Sequence, residues 1–220
     1  MNQNSYYRPS AKVFGERAAE YDSWYDDSLL FEIEKNGLLI LDSPRQPSLE
    51  IGIGPGRFGE LLSITFGLDP AHEPLLLAAQ RGIPACRGIA SELPFGDNSL
   101  GSIYLLFTLC FLERGNPVLN ECHRVLRHDG RLIIGFIPAT SSWGQNLEDK
   151  KKQGHPFYQY ADFRNVFEVE NDLADHGFSI VSRHSTLYQP PDKLSVLEKP
   201  QPGADESAGF VIIEARRNIP

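Results

Sequence analysis

The residues best suited to chemistry lie between Glu50 and Asp69. Glu50-x-Gly52-x-Gly54-x-Gly56 puts an acid ahead of three glycines at every second place, and Arg57 and Gly59 follow. Glycines at the end of a strand let the backbone approach a ligand closely, and the start of the next helix offers free N–H groups. The stretch fits two templates. Gly54-x-Gly56-x-x-Gly59 matches the dinucleotide fingerprint, which expects an acid about 20 residues on for a ribose hydroxyl. The candidate, Asp69, follows Gly54 by only 15 residues. The other template is the acid followed by alternating glycines.

These residues need elements to hold them. Leading the chain, 11–31 carries Phe14, Ala18, Tyr21, Tyr25 and Leu29 at spacings of three and four, an amphipathic helix, and a second helical stretch reaches Leu39. A turn-rich break covers 42–47. Strands are expected over 48–53, 64–68, 83–88, 102–107 and 131–136, alternating with helices over 58–62, 74–81 and 116–126, with Asp129-Gly130 as a turn. Such alternation implies a parallel sheet covered on both faces. Later, 166–176 reads as a helix stopped by Gly177, and 178–188 and 210–216 as strands around a Pro/Gly/Ser-rich loop, 190–209.

Composition bounds the function. The 220 residues suit one domain with a buried core, and 41% hydrophobic with 23% charged residues is ordinary globular usage. With 21 basic and 29 acidic side chains the formal net charge is −8, which argues against a nucleic-acid partner. No apolar run is long enough for a membrane span, and Met1 to Ser10 has no signal-peptide core. Cys86, Cys110 and Cys122 form no CxxC or Cys/His cluster, so they read as reduced, buried thiols of a cytoplasmic protein that needs no metal. The oligomeric state stays open.

Taken in order, the segments resemble the class I S-adenosylmethionine-dependent methyltransferases, and among them the type 11 group. Glu50 to Gly56 resembles the family's first motif, and Gly67-Leu68-Asp69-Pro70 the end of its second strand. Gly88 to Phe95 resembles its GDAxxLPF segment, Asp97 to Leu100 the turn before strand four, and Leu119 to Leu126 with Gly130-Arg131-Leu132 the helix and strand that close the core. The resemblance implies an α/β, Rossmann-like, seven-stranded and mostly parallel sheet with helices on both faces and an antiparallel last strand. It implies one methyltransferase domain over 1–220: a helical cap (1–40), a cofactor core (48–136), a substrate-side cover (139–175) and a C-terminal hairpin (178–216).

The same resemblance implies S-adenosylmethionine as cofactor, S-adenosylhomocysteine as product, and methyl transfer to a small-molecule acceptor by in-line displacement. Gly52, Gly54 and Gly56 would hold the methionine part, with Glu50 orienting the loop and Arg57 reaching the carboxylate. Asp69 would accept from both ribose hydroxyls, with Pro70 near the adenine. Ala90 and Ser91 would border the adenine edge, where Ile89 replaces the family's usual Asp; Phe107 and Thr108 would lie by the sulfonium, and Tyr21 would close over the cofactor. Gly101 stands where the family often has Asp. Trp24, Tyr25, Trp143 and Tyr160 are candidate substrate contacts, and Lys150-Lys151-Lys152 reads as a solvated face. No dyad marks a general base. Two alternatives remain at this point: a non-catalytic protein binding the same cofactor, and a nicotinamide-dependent oxidoreductase, which the short spacing to Asp69 and the lack of a Tyr-x-x-x-Lys pattern disfavour.

Overall fold

The computed structural model describes residues 8–115 and 117–218. The expected helix start at Asn116 and the first seven residues of the cap fall outside them. Eight strands form one sheet: β1 (Ser48–Ile51), β2 (Phe66–Asp69), β3 (Ala85–Arg87), β4 (Leu100–Leu106), β5 (Leu126–Phe136), β6 (Phe178–Thr186), β7 (Gln201–Pro202) and β8 (Phe210–Arg217). Their order is β3-β2-β1-β4-β5-β8-β6-β7. The first five run parallel, and β8 lies antiparallel between β5 and β6.

Alternate residues of the central strands feed two cores. Ile103 and Leu105 of β4, Leu132 and Ile134 of β5, and Val211 and Ile213 of β8 face one side. There they meet Val118, Leu119 and Cys122 of α6 (Val118–Val125) and Val169 and Leu173 of the later helix Val166–Asp175. Tyr104, Leu106, Ile133, Phe210 and Ile212 face the other side, against Ile33 and Leu38 of α3 (Leu29–Leu39) and Phe58 and Leu62 of α4 (Arg57–Leu62). Strands buried on both faces read as unbroken apolar runs, as SIYLLF and RLIIGF do.

Four expectations are corrected. The sheet has eight strands, not seven, because Gln201–Pro202 in the long loop pairs with His184 and Ser185 at the sheet edge, where a proline's missing N–H is tolerated. The N-terminal helix is broken into α1 (Arg8–Glu16) and α2 (Ala18–Ser23), with α3 following as a separate helix. The first break is at Arg17, at φ −124° and ψ 29°. The second ends at Asp27, at φ 48°, and Ser28 caps α3 by accepting from the Phe31 N–H. Strand β5 begins at Leu126, so Asp129-Gly130 lies inside it: Leu126 faces Leu100 and Arg131 faces Ser102, and 127–130 bulge out. Cys86 is exposed on β3, not buried.

Gly101 also has a local reason. A Cβ there would stand 2.5 Å from the Arg45 carbonyl oxygen, while the Gly101 N–H donates to the Pro47 carbonyl at 2.8 Å. The segment leading into β1 presses too closely on β4 for a side chain.

Candidate active site

Strand β1 is flanked by β2 on one side and β4 on the other, the point at which an open α/β sheet leaves a crevice at its carboxyl edge. The glycine loop lies there. Gly52, Gly54 and Gly56 have φ of 73°, 52° and 85°, a region L side chains rarely adopt. A Cβ at Gly52 would also collide with the Thr108 side chain. The turn is pinned by N–H bonds from Gly52 and Ile53 to the Leu68 carbonyl.

Asp69, at the end of β2, is 9% exposed. Its carboxylate accepts from the Gly54 N–H at 3.0 Å and the Ala71 N–H at 2.8 Å. Burial pushes its pKa up to about 6, with these two N–H bonds opposing the rise. Beside it opens a cleft of about 120 Å³. Gly52, Gly54, Asp69 and Pro70 form one wall, Ile89, Ala90 and Ser91 a second, and Phe107 and Thr108 the floor. Phe14 and Tyr21, from α1 and α2, roof it. Phe107 holds φ 55°, uncommon outside glycine, and its ring stacks on Phe210 at 4.7 Å between centroids.

Glu50 lies deeper, 2% exposed, and its Oε2 meets no hydrogen-bond donor among the described residues. Burial, and then the nearby Asp69, hold its carboxyl well above the usual range. It borders a narrow recess of about 20 Å³ shared with Tyr21, Tyr25, Gly54 and Arg57. A buried acceptor without a donor costs free energy until a ligand supplies one.

Arg57 departs from the role expected for it. Its Nε donates to Asp22 Oδ1 at 2.6 Å, and its Nη2 to Asp22 Oδ2 at 3.0 Å and to Asp26 Oδ1 at 2.7 Å. Arg81, just beyond α5 (His72–Gln80), donates to the same Asp22 at 2.9 Å. Burial alone would raise the Asp22 carboxyl, yet the two guanidinium groups bring it below its ordinary value. Arg57 therefore fastens the cap to the glycine loop.

A larger cavity, of about 390 Å³, abuts the cleft and shares Phe14, Tyr21, Phe107 and Phe111 with it. Trp24, Tyr25, Phe31, Trp143, Phe157 and Tyr158 line it. The Tyr21 and Tyr25 hydroxyls bond each other at 2.9 Å, and Trp143 Nε1 donates to the Gln189 carbonyl at 2.8 Å. Of the four candidate substrate contacts, Trp24, Tyr25 and Trp143 line the cavity; Tyr160 does not and is 39% exposed. A single 3₁₀ turn, Tyr158–Tyr160, separates the two tyrosines, so Tyr158 turns inward instead. Lys150 also reaches the cavity, unlike its two neighbours.

Sequence reading missed Glu34, which lines this cavity at 5% exposure. Burial lifts its pKa to about 8. The signal was present: Leu30, Ile33, Glu34 and Gly37 share one stripe of α3 at spacings of three and four, so an acid stands on an apolar face. Phe157 was missed as well; it lies between elements, where no periodicity marks it.

Residues 49–134 match the family model described as a methyltransferase domain. An uncharacterised protein of Mycobacterium tuberculosis is 36% identical over 212 residues, spanning 94% of this chain and 74% of its own length. One from Methanocaldococcus jannaschii is 33% identical over 205 residues, spanning 93% and 98%. A solved Thermotoga maritima structure, described as a SAM-dependent methyltransferase and possible histamine N-methyltransferase, is similar at a TM-score of 0.84 and 29% identity, over 94% of this chain and 99% of that one.

Proposed function

Since the chain belongs to the class I S-adenosylmethionine-dependent methyltransferases, we propose that it methylates a small-molecule acceptor held in the aromatic cavity under the cap. The observation that carries this reading is the junction of the two spaces: the cleft beside Asp69 ends at Phe107 and Phe111, and the larger cavity begins at the same two rings.

The cleft fits the cofactor. Asp69 keeps lone pairs free beyond its two backbone bonds for a pair of ribose hydroxyls. Partnerless Glu50 Oε2 suits the ammonium of the methionine part. The positive φ of Gly52 and Gly54 holds the loop in the turn that borders the cleft, and a Cβ at Gly52 would collide with Thr108 on its floor. Ala90 and Ser91 line the cleft where the adenine edge would lie, and Ile89 there would offer contact but no acceptor. S-adenosylmethionine, when bound, supplies an already activated methyl group on a sulfonium. The protein's share is to align the acceptor atom for in-line displacement, and to exclude water with Tyr21 and Phe14 overhead.

Calorimetric titration with S-adenosylhomocysteine, NAD and NADP tests the reading. The homocysteine compound alone should bind, and Asp69→Ala should weaken it at least about tenfold, the loss of two charge-assisted hydrogen bonds. Binding of a nicotinamide instead would overturn it. Binding of the homocysteine compound without turnover on any screened acceptor would favour the non-catalytic alternative.

A further inference from the structure

The larger cavity is walled by aromatic rings, and its charged groups differ in how they are matched. Arg164 has its charge paired: Nη1 donates to Asp172 at 2.5 Å and Nη2 to the Leu112 carbonyl at 3.1 Å, and Nε alone meets no acceptor among the described residues. Lys150 lies over the Tyr158 ring, 6.0 Å from its centroid. The Tyr21 and Tyr25 hydroxyls share one hydrogen bond, one donating to the other. Glu34 has no cation and no hydrogen-bond donor among the described residues, although it is buried and faces the cavity. It borders neither the cleft beside Asp69 nor the recess beside Glu50, so it belongs to the acceptor's space.

We infer that this cavity takes a protonated amine as the methyl acceptor, with Glu34 as its ion-pair partner and proton acceptor and the faces of Tyr25, Phe31 and Phe157 around the cationic head. The inference rests on the methyltransferase reading above. Aromatic faces attract a cation through the ring quadrupole, more strongly where water is excluded. An ionised acid without a partner in such surroundings is costly, and a cation is the ligand that removes the cost. A neutral alcohol offers only a hydrogen bond; an anion is repelled.

The proton balance closes on this chain's own atoms. A bound ammonium gives one proton to a Glu34 carboxylate oxygen and keeps its lone pair. Glu34 becomes a neutral acid, and the nitrogen becomes the nucleophile. Burial lifts Glu34 to about 8, which narrows the gap to an alkylammonium that the proton must cross. The nitrogen's lone pair would then form the N–CH3 bond as the S–CH3 bond of the cofactor breaks; the sulfur would keep that bond's electron pair as a neutral thioether, and the positive charge would pass to the nitrogen.

The test uses three probes of one shape: phenethylamine, 2-phenylethanol and 3-phenylpropionate. Each is titrated into the full chain without cofactor at pH 8.5, read by the fluorescence of Trp24 and Trp143, which line the cavity. The amine should bind at least about tenfold tighter than the alcohol, and the acid least tightly. Glu34→Gln should remove the amine's advantage, leave the alcohol within about twofold, and leave S-adenosylhomocysteine affinity unchanged by calorimetry. Retained alcohol binding and an undiminished melting temperature show that the variant folds. Equal binding of amine and alcohol by the native chain would overturn the inference. So would a Glu34→Gln variant that loses S-adenosylhomocysteine affinity, since Glu34 would then serve the cofactor. A native chain that ignores S-adenosylhomocysteine sinks the methyltransferase reading, while the amine preference is still decided by its own titration.

Discussion

At the scale of single residues, the site is defined by three acids that burial has pushed upward for different ends. Asp69, at about 6, is half protonated in mildly acid solution. A ligand whose hydroxyls donate to the ionised form binds less well as that form is lost. S-adenosylhomocysteine affinity should therefore fall about tenfold between pH 7.5 and pH 5, measured by calorimetry, and Asp69→Asn should flatten the profile. Glu34 has a different consequence. Between about 4.5 and about 8 the unfolded chain has released the proton that folded Glu34 keeps, so stability declines across that window and the full penalty is in place above it. That penalty is on the order of a few kcal/mol. Glu34→Gln should raise the melting temperature by several degrees at pH 8.5 and leave it nearly unchanged at pH 5, in scans of the protein without ligand. Asp69 and Glu50 were legible in the sequence because glycine spacing points at them. Glu34 was not, because no motif surrounds it and only helix geometry turns it inward.

At the scale of elements, the cap is the part that sequence periodicity described least well. Apolar spacing from Phe14 to Leu29 is continuous, yet the backbone breaks twice. Periodicity reports which side chains must be buried and is silent on whether one straight cylinder buries them. Here the ends of short helices let Tyr21, Trp24 and Tyr25 converge from different directions; their rings lie 5.3 to 5.6 Å from that of Tyr21. Segments this short are poor helices alone and depend on tertiary anchors. The anchor is Asp22, held by Arg57 and Arg81 with its side chain 16% exposed. Asp22→Asn should cost the cap about 1–2 kcal/mol. Amide exchange should quicken over 9–24 with β4 and β5 unchanged, and S-adenosylhomocysteine should bind several-fold more weakly. Arg57 was predicted from charge and place, which identified its position and missed its partner: an acid 35 residues away cannot be matched to a base by local pattern.

At the scale of the whole molecule, the parallel core was readable from alternating runs, while the joint between it and the antiparallel end was not. Arg131 makes that joint. It is 1% exposed on β5, 3.4 Å from Glu214 on β8, and it donates to the carbonyls of Asp42 at 3.1 Å and Ser43 at 2.6 Å, where the cap leads into β1. Truncation strands a buried carboxylate and two carbonyls, so Arg131→Ala should destabilise the fold by about 3–5 kcal/mol in urea titration. Arg131→Met with Glu214→Leu should recover much of the loss, since apolar replacement of a buried pair is often neutral. The same global arrangement sets the two cavities end to end at Phe14, Tyr21, Phe107 and Phe111. Two ligands that meet across those rings are equivalent to one longer ligand. An adenosine tethered by a short linker to an arylalkylamine would anchor one half at Asp69 and present the other to Glu34 at a millimolar-range effective concentration. Its affinity would exceed that of either half, and its selectivity would reside in the aromatic half.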